Sequence, residues 1–103
     1  METGKVIYIA PEKSGVAVKT GNEWKSQEFV IETNERYPRK VAFKIFGERK
    51  IAAANLRLGE TVQVCYYPES HEYNGNYFTE LQVCDIISNG LSRLSQTQAA
   101  FQG

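Results

Sequence analysis

Cysteine and histidine are scarce in this 103-residue chain, two of the first and one of the second, and the scarcity excludes a good deal. Cys65 and Cys84 are too few for a disulfide-stapled scaffold, and with only His71 beside them there is no metal-ligand spacing. No apolar run approaches the ~18–20 residues that a bilayer-crossing helix needs, so no membrane partner is expected. The opening METGKVIYIA lacks the apolar core and small-residue cleavage site of a secretory signal. Net charge is missing as well: 12 Lys and Arg balance 12 Asp and Glu. That excludes a histone-like polycation and an acidic, solvating disordered chain. The default compartment is then the cytoplasm, where Cys65 and Cys84 stay free thiols; an oxidising compartment would allow a bridge.

Catalytic signatures are lacking too. His71 stands alone, no Ser or Cys occupies a nucleophile motif, and no glycine-rich phosphate loop precedes a helix. Pairs of carboxylates arise by chance among 12 acids. Neither an enzyme nor a cofactor nor a metal site is expected.

What the chain does have is one domain's length, 11.7 kDa, and a period of mostly two. Residues 5–9 form a β-rich run, and 11–21, with two glycines and scattered charge, read as a long loop or ragged strand extension. In 24–33, Phe29 and Ile31 alternate against Trp24, Ser26, Glu28, Val30 and Glu32; in 40–46, Val41, Phe43 and Ile45 alternate against Lys40, Ala42, Lys44 and Phe46. Residues 34–39 turn between them. The period changes in 48–58, where Ile51, Ala54 and Leu58 fall on one helical face and Gly59 supplies the stop. Strands return at 61–67 and 77–87, around an Asn74-Gly75 hairpin signal within a loop at 69–78. Residues 88–103 are polar without apolar period and read as a mobile tail after a 1–87 domain.

The order β-β-β-α-β-β, with one short helix between the third and fourth strands, is the layout of an all-β, five-stranded OB-fold barrel. An SH3-like barrel and an α+β sandwich compete with it, and the helix position favours the OB-fold. A turn near residues 35 and 36 opposes Glu32 to Lys40, Val30 to Ala42 and Glu28 to Lys44 on the outer face, with Trp24 and Phe46 diagonal beyond them. The Asn74-Gly75 turn would oppose Cys65 to Cys84, unless Pro68 lets the register slip.

Charge is uneven along this zero-sum chain. Residues 36–57 hold seven bases (Arg36, Arg39, Lys40, Lys44, Arg49, Lys50, Arg57) against Glu48. Residues 60–85 hold five acids and no Lys or Arg. Unpaired nucleic acid needs flat rings for its bases and cations for its phosphates. On an OB-fold these belong on the second and third strands and the loops beside them. That surface would carry Trp24, Lys40, Lys44 and Phe46, framed at one end by Arg36, Tyr37 and Arg39, with Tyr73 and Tyr77 over it from the hairpin loop.

Residues 5–9 (KVIYI), 41–47 (VAFKIFG), 58–62 (LGETV) and 73–83, with Thr79-Glu80-Leu81, resemble successive segments of the bacterial single-stranded DNA-binding protein family. The likeness is closest to an uncharacterised family of single-strand-binding-like OB-fold proteins, which shares the Trp24, Phe29-Val30, Glu32-Thr33, Tyr37-Pro38 pattern. The resemblance implies stacking by Phe46 and Tyr73, a looser equivalence for Trp24, a homodimer or homotetramer, and a place in DNA replication and repair. Lys40 stands where the better-known family has another Trp. The acidic, apolar-ended tip through which that family recruits partners has no counterpart after Asp85.

The expectation is therefore a non-enzymatic binder of single-stranded DNA with little sequence preference, RNA being the alternative nucleic acid. The competing reading is a protein-interaction OB module whose exposed aromatics form a subunit interface.

Overall fold

The structure, a computed structural model, describes residues 1–94. Two alternating segments, β3 (Glu23–Thr33) and β4 (Lys40–Phe46), form the hairpin from which the rest is built. Their register opposes Ile31 to Val41, Phe29 to Phe43, Glu32 to Lys40, Val30 to Ala42 and Glu28 to Lys44. One face of this pair sends Phe29, Ile31, Phe43 and Ile45 into full burial. Period two with an apolar inner set opposes a one-residue slip, which would turn the inner pair of the slipped strand into water.

β1 (Glu2–Ile9) pairs with β3 on one side and with β5 (Thr61–Tyr73) on the other. β5 pairs with β6 (Asn76–Ser88), and β6 meets β4 in parallel at a single registered pair, Lys44 with Gln82. The ring β1-β3-β4-β6-β5 closes on itself with α1 (Glu48–Ala54) between β4 and β5, the OB-like barrel expected from the sequence. Inside lie Val6, Phe29, Ile31, Phe43, Ile45, Val62, Val64, Val83 and Ile86, plugged at one end by Ile51 and Ala54 of the helix. Phe43 centres an aromatic row, 5.5 Å from the Phe29 ring and 5.1 Å from Tyr66. No helix among the described residues is long and apolar enough to cross a membrane.

Of the two readings of the 11–21 segment the strand holds, as β2 (Lys13–Val16), paired with the start of β3. Four other local readings are corrected. The helix stops at Ala54, because Asn55 takes the left-handed conformation (φ 42°) four residues before Gly59, and Leu58 stays 67% exposed.

The expected 69–78 loop is strand almost throughout. Asn74 and Gly75, at φ 52° and 81°, make a two-residue turn, and the ladder runs unbroken from Tyr73–Asn76 to Tyr66–Val83, Pro68 included. A bulge then shifts the register, so Cys65 faces Asp85 and not Cys84. Both thiols are free. Burial, reinforced by Cys84 and Asp85 nearby, pushes the Cys65 thiol up from its usual range.

The tail begins later than its composition suggests. After a turn at Asn89-Gly90, β7 (Leu91–Ser92) pairs with β6, and Leu94, 7% exposed, joins the core. Arg93 caps α1 by donating to the Ala54 carbonyl at 2.7 Å and forms an ion pair with Glu60. Asp85 accepts from Ser92 Oγ and, at 3.3 Å, from the Leu94 backbone N–H. One cation and one apolar residue hold this segment, too few to register as a period. The rest of the expected tail, 95–103, lies outside the described residues.

Candidate nucleic-acid interface

The outer face of β3 and β4 carries a built aromatic platform. Trp24 and Phe46 stack at 6.3 Å between centroids with planes 19° apart. Such a pair contributes roughly 0.5–1.5 kcal/mol beyond the area it buries. The register explains it: Phe46 opposes Ser26, which puts Trp24 on its diagonal. On the other side of the indole lies Gly15 of β2, Trp24's cross-strand partner. A Cβ there would stand 2.6 Å from the ring, so only glycine lets the indole lie against the backbone. Trp24 is thereby half-buried and fixed, while Phe46 keeps 51% of its surface open. Ser26, expected outward, sits between Lys13 and Phe46 in register and is closed off from solvent.

The cations around this platform are mostly engaged. Lys44 stands opposite Glu28, as expected, yet its ammonium lies 3.0 Å from Glu80 across on β6. Glu28 pairs with Lys13 at 3.5 Å, and Lys25 ties β3 to the helix start through Glu48 at 3.2 Å. Lys40 has no ion pair among the described residues despite facing Glu32.

Arg36, Tyr37 and Arg39 lie in the β3–β4 turn, at the Lys40 end of this face; the rise of the strand puts Lys40 roughly 20 Å from Phe46 at the other end. Arg36 lies 5.6 Å from the Tyr37 ring centre, a cation–π pair open to solvent. Arg39 is bound to Glu35 at 3.1 Å and Glu2 at 3.3 Å. Arg39, and then the Thr33 hydroxyl, hold the Glu35 carboxyl below its usual range.

Strand alternation separates the two tyrosines of the second hairpin. Tyr73 shares a face with Tyr67, Glu69, His71, Phe78 and Glu80, whereas Tyr77 shares the other with Glu72, Ser70 and Thr79. Both tyrosines are about 70% exposed, at 69% and 71%. Only the Tyr73 face continues toward the Trp24–Phe46 platform.

Between platform and hairpin lies an open cleft of about 540 Å³. Phe46 and Lys44 of β4 and Lys50 of α1 line one side; Tyr67, Glu69 and His71 of β5, with Glu80 and Gln82 of β6, line the other. Tyr67, His71, Lys50 and Glu80 were not expected here. For the hairpin residues the signal is the Asn74-Gly75 turn: carried past Pro68, its register puts Tyr67, Glu69 and His71 on one face with Phe78, Glu80 and Gln82. Among the described residues, no three His, Cys, Asp or Glu side chains converge where a metal ion could sit.

A search of curated proteins finds no match to this sequence. Residues 2–86, from the start of β1 into β6, match a family described as a domain of unknown function, DUF3127. The chain belongs to the DUF3127 family.

Proposed function

We propose that this protein binds single-stranded DNA, without catalysis and with little dependence on sequence, along the outer face of β3 and β4. The observation that carries the reading is the Trp24–Phe46 stack, whose outer ring is half-exposed on the side of an OB-like barrel. A third base platform, Tyr73, lies on the hairpin face that continues from it. Lys40 at the end of β4 and Lys50 at the rim of the cleft are exposed and supply phosphate contacts. Lys44 contributes only when Glu80 releases it, and Arg39 acts in the fold. Tyr77, on the opposite hairpin face, drops out of the binding set. Such a role places the protein in the cytoplasm, in DNA replication or repair.

The sole tryptophan, part of the stack, reports on binding directly. Oligo-dT at micromolar concentration and low salt is expected to quench Trp24 fluorescence, and raised salt to reverse it. No quenching at low salt overturns the proposal. Oligo-U in the same titration separates DNA from RNA, through the 2′-hydroxyl.

A second reading is favoured by Tyr73, Tyr77 and Phe78, all more than half exposed on a hairpin arm. In it these rings form a contact between copies of the chain, as a homodimer or homotetramer. Sedimentation decides: an assembly dissociated by Tyr77→Ser with Phe78→Ser, together with no oligo-dT response, supports it.

A further inference from the structure

The cleft beside the platform has a floor that suits a base and repels a phosphate. Glu69 and Glu80 stand directly opposite each other on β5 and β6. Like charges so placed repel, and each needs its own neutralising neighbour. Glu80 has Lys44 at 3.0 Å. Glu69 has His71, its Nε2 3.0 Å from Oε1 and charged only when protonated. Glu69 Oε2 has no partner among the described residues, and the side chain is 46% exposed. Rings flank these acids: Phe46 on the β4 side and Tyr67 on the β5 side, each about half exposed.

A carboxylate is acceptor-only and favours a partner that offers two donors side by side. Among the bases of an unpaired strand, guanine does this, through N1–H and the N2 amino group. Thymine offers one N–H, and adenine and cytosine one amino group each. The phosphodiester, itself anionic, is kept off this floor and led toward Lys50 at its rim.

We infer that the cleft is a base-reading subsite, in which Phe46 and Tyr67 hold a guanine and the Glu69 carboxylate accepts from its Watson–Crick edge. This rests on the single-strand reading above and adds to it one preferred base in an otherwise indifferent track. Glu80, held by Lys44, positions the hairpin wall and does not itself touch the base.

The test uses oligo-dT of about fifteen nucleotides, the upper range for one OB-fold, unmodified or with one central dG, dI or dA. Trp24 quenching reads the affinity. The dG oligonucleotide is expected to bind about tenfold tighter than oligo-dT, within the range for one bidentate base contact. Hypoxanthine in dI keeps N1–H and loses the amino group, so dI is expected to fall between them. Glu69→Gln is expected to erase the dG advantage, so that the dG, dI and unmodified oligonucleotides bind this variant with equal affinity whatever its overall level. Equal affinities for all four overturn the subsite and leave general strand binding standing. A Glu69→Gln protein that binds every oligonucleotide more tightly and still prefers dG also overturns it, since Glu69 would then only repel the strand. Absence of any quenching removes both proposals together. The circular dichroism of Glu69→Gln must match the parent, which an exposed surface carboxylate allows.

Discussion

The two long hairpins of this barrel have the same architecture and opposite surroundings. In β3–β4, one face buries Phe29, Ile31, Phe43 and Ile45 and the other carries the platform. In β5–β6, the inner half contributes Val62, Val64, Val83 and Ile86 to the core, but residues 67–79 are exposed on both faces. A two-stranded ribbon without a buried face is marginal on its own. This one is held by its ladder, a tight turn, Ser70–Thr79 at 3.0 Å and its root in the barrel. The comparison teaches that burial fixes the first hairpin, while the arm has side chains left over for contact with something else.

The largest expected effect is a direct contrast between the two. Phe43→Ala, in the core, is expected to cost about 3–5 kcal/mol in urea unfolding, and Phe78→Ala, on the arm, less than about 0.5 kcal/mol. Similar values would mean that the arm is packed against something. Next in size is the end of the described chain. Leu94→Ala is expected to cost about 2–3 kcal/mol; no change in the urea midpoint would return residues 88–94 to a dispensable tail. Gly75→Ala forces an alanine into left-handed backbone at φ 81°, for about 1–2 kcal/mol. It is expected to speed amide exchange in the arm while the β3–β4 amides keep their protection.

The smallest effect is a pH dependence. Arg93, and then the Arg57 backbone N–H, hold the Glu60 carboxyl below its usual range against the opposing pull of burial. A carboxylate depressed in the folded state stabilises the fold above its unfolded pKa, about 4.3 for glutamate. That contribution is lost as pH falls through the lower folded value. The stability gap between the parent and Arg93→Ala is therefore expected to narrow from about pH 5 to about pH 3. A constant gap would assign Arg93 to helix capping alone.

The same contrast governs what could be read without coordinates. Alternation in 24–33 and 40–46 carried register, core and the Trp24–Phe46 adjacency, because burial of one face imposes period two. The arm alternates polar with aromatic on both faces, so periodicity had nothing to say, and Pro68 suggested a break. The Cys65 reading failed at a bulge, which no pattern marks. Glu80 as the partner of Lys44 depends on the β4–β6 meeting, a contact between segments 36 residues apart by number, which only barrel closure creates.

That closure has a single registered pair, Lys44 beside Gln82, which makes it a line along which the cylinder can unzip. The platform lies to one side of this line and the arm to the other. Anything lying across both would act as a clasp, shifting the opening equilibrium toward the shut form by its own binding free energy. Amides flanking Lys44 and Gln82 should then gain protection in proportion to occupancy, more than those of β1 on the remote wall.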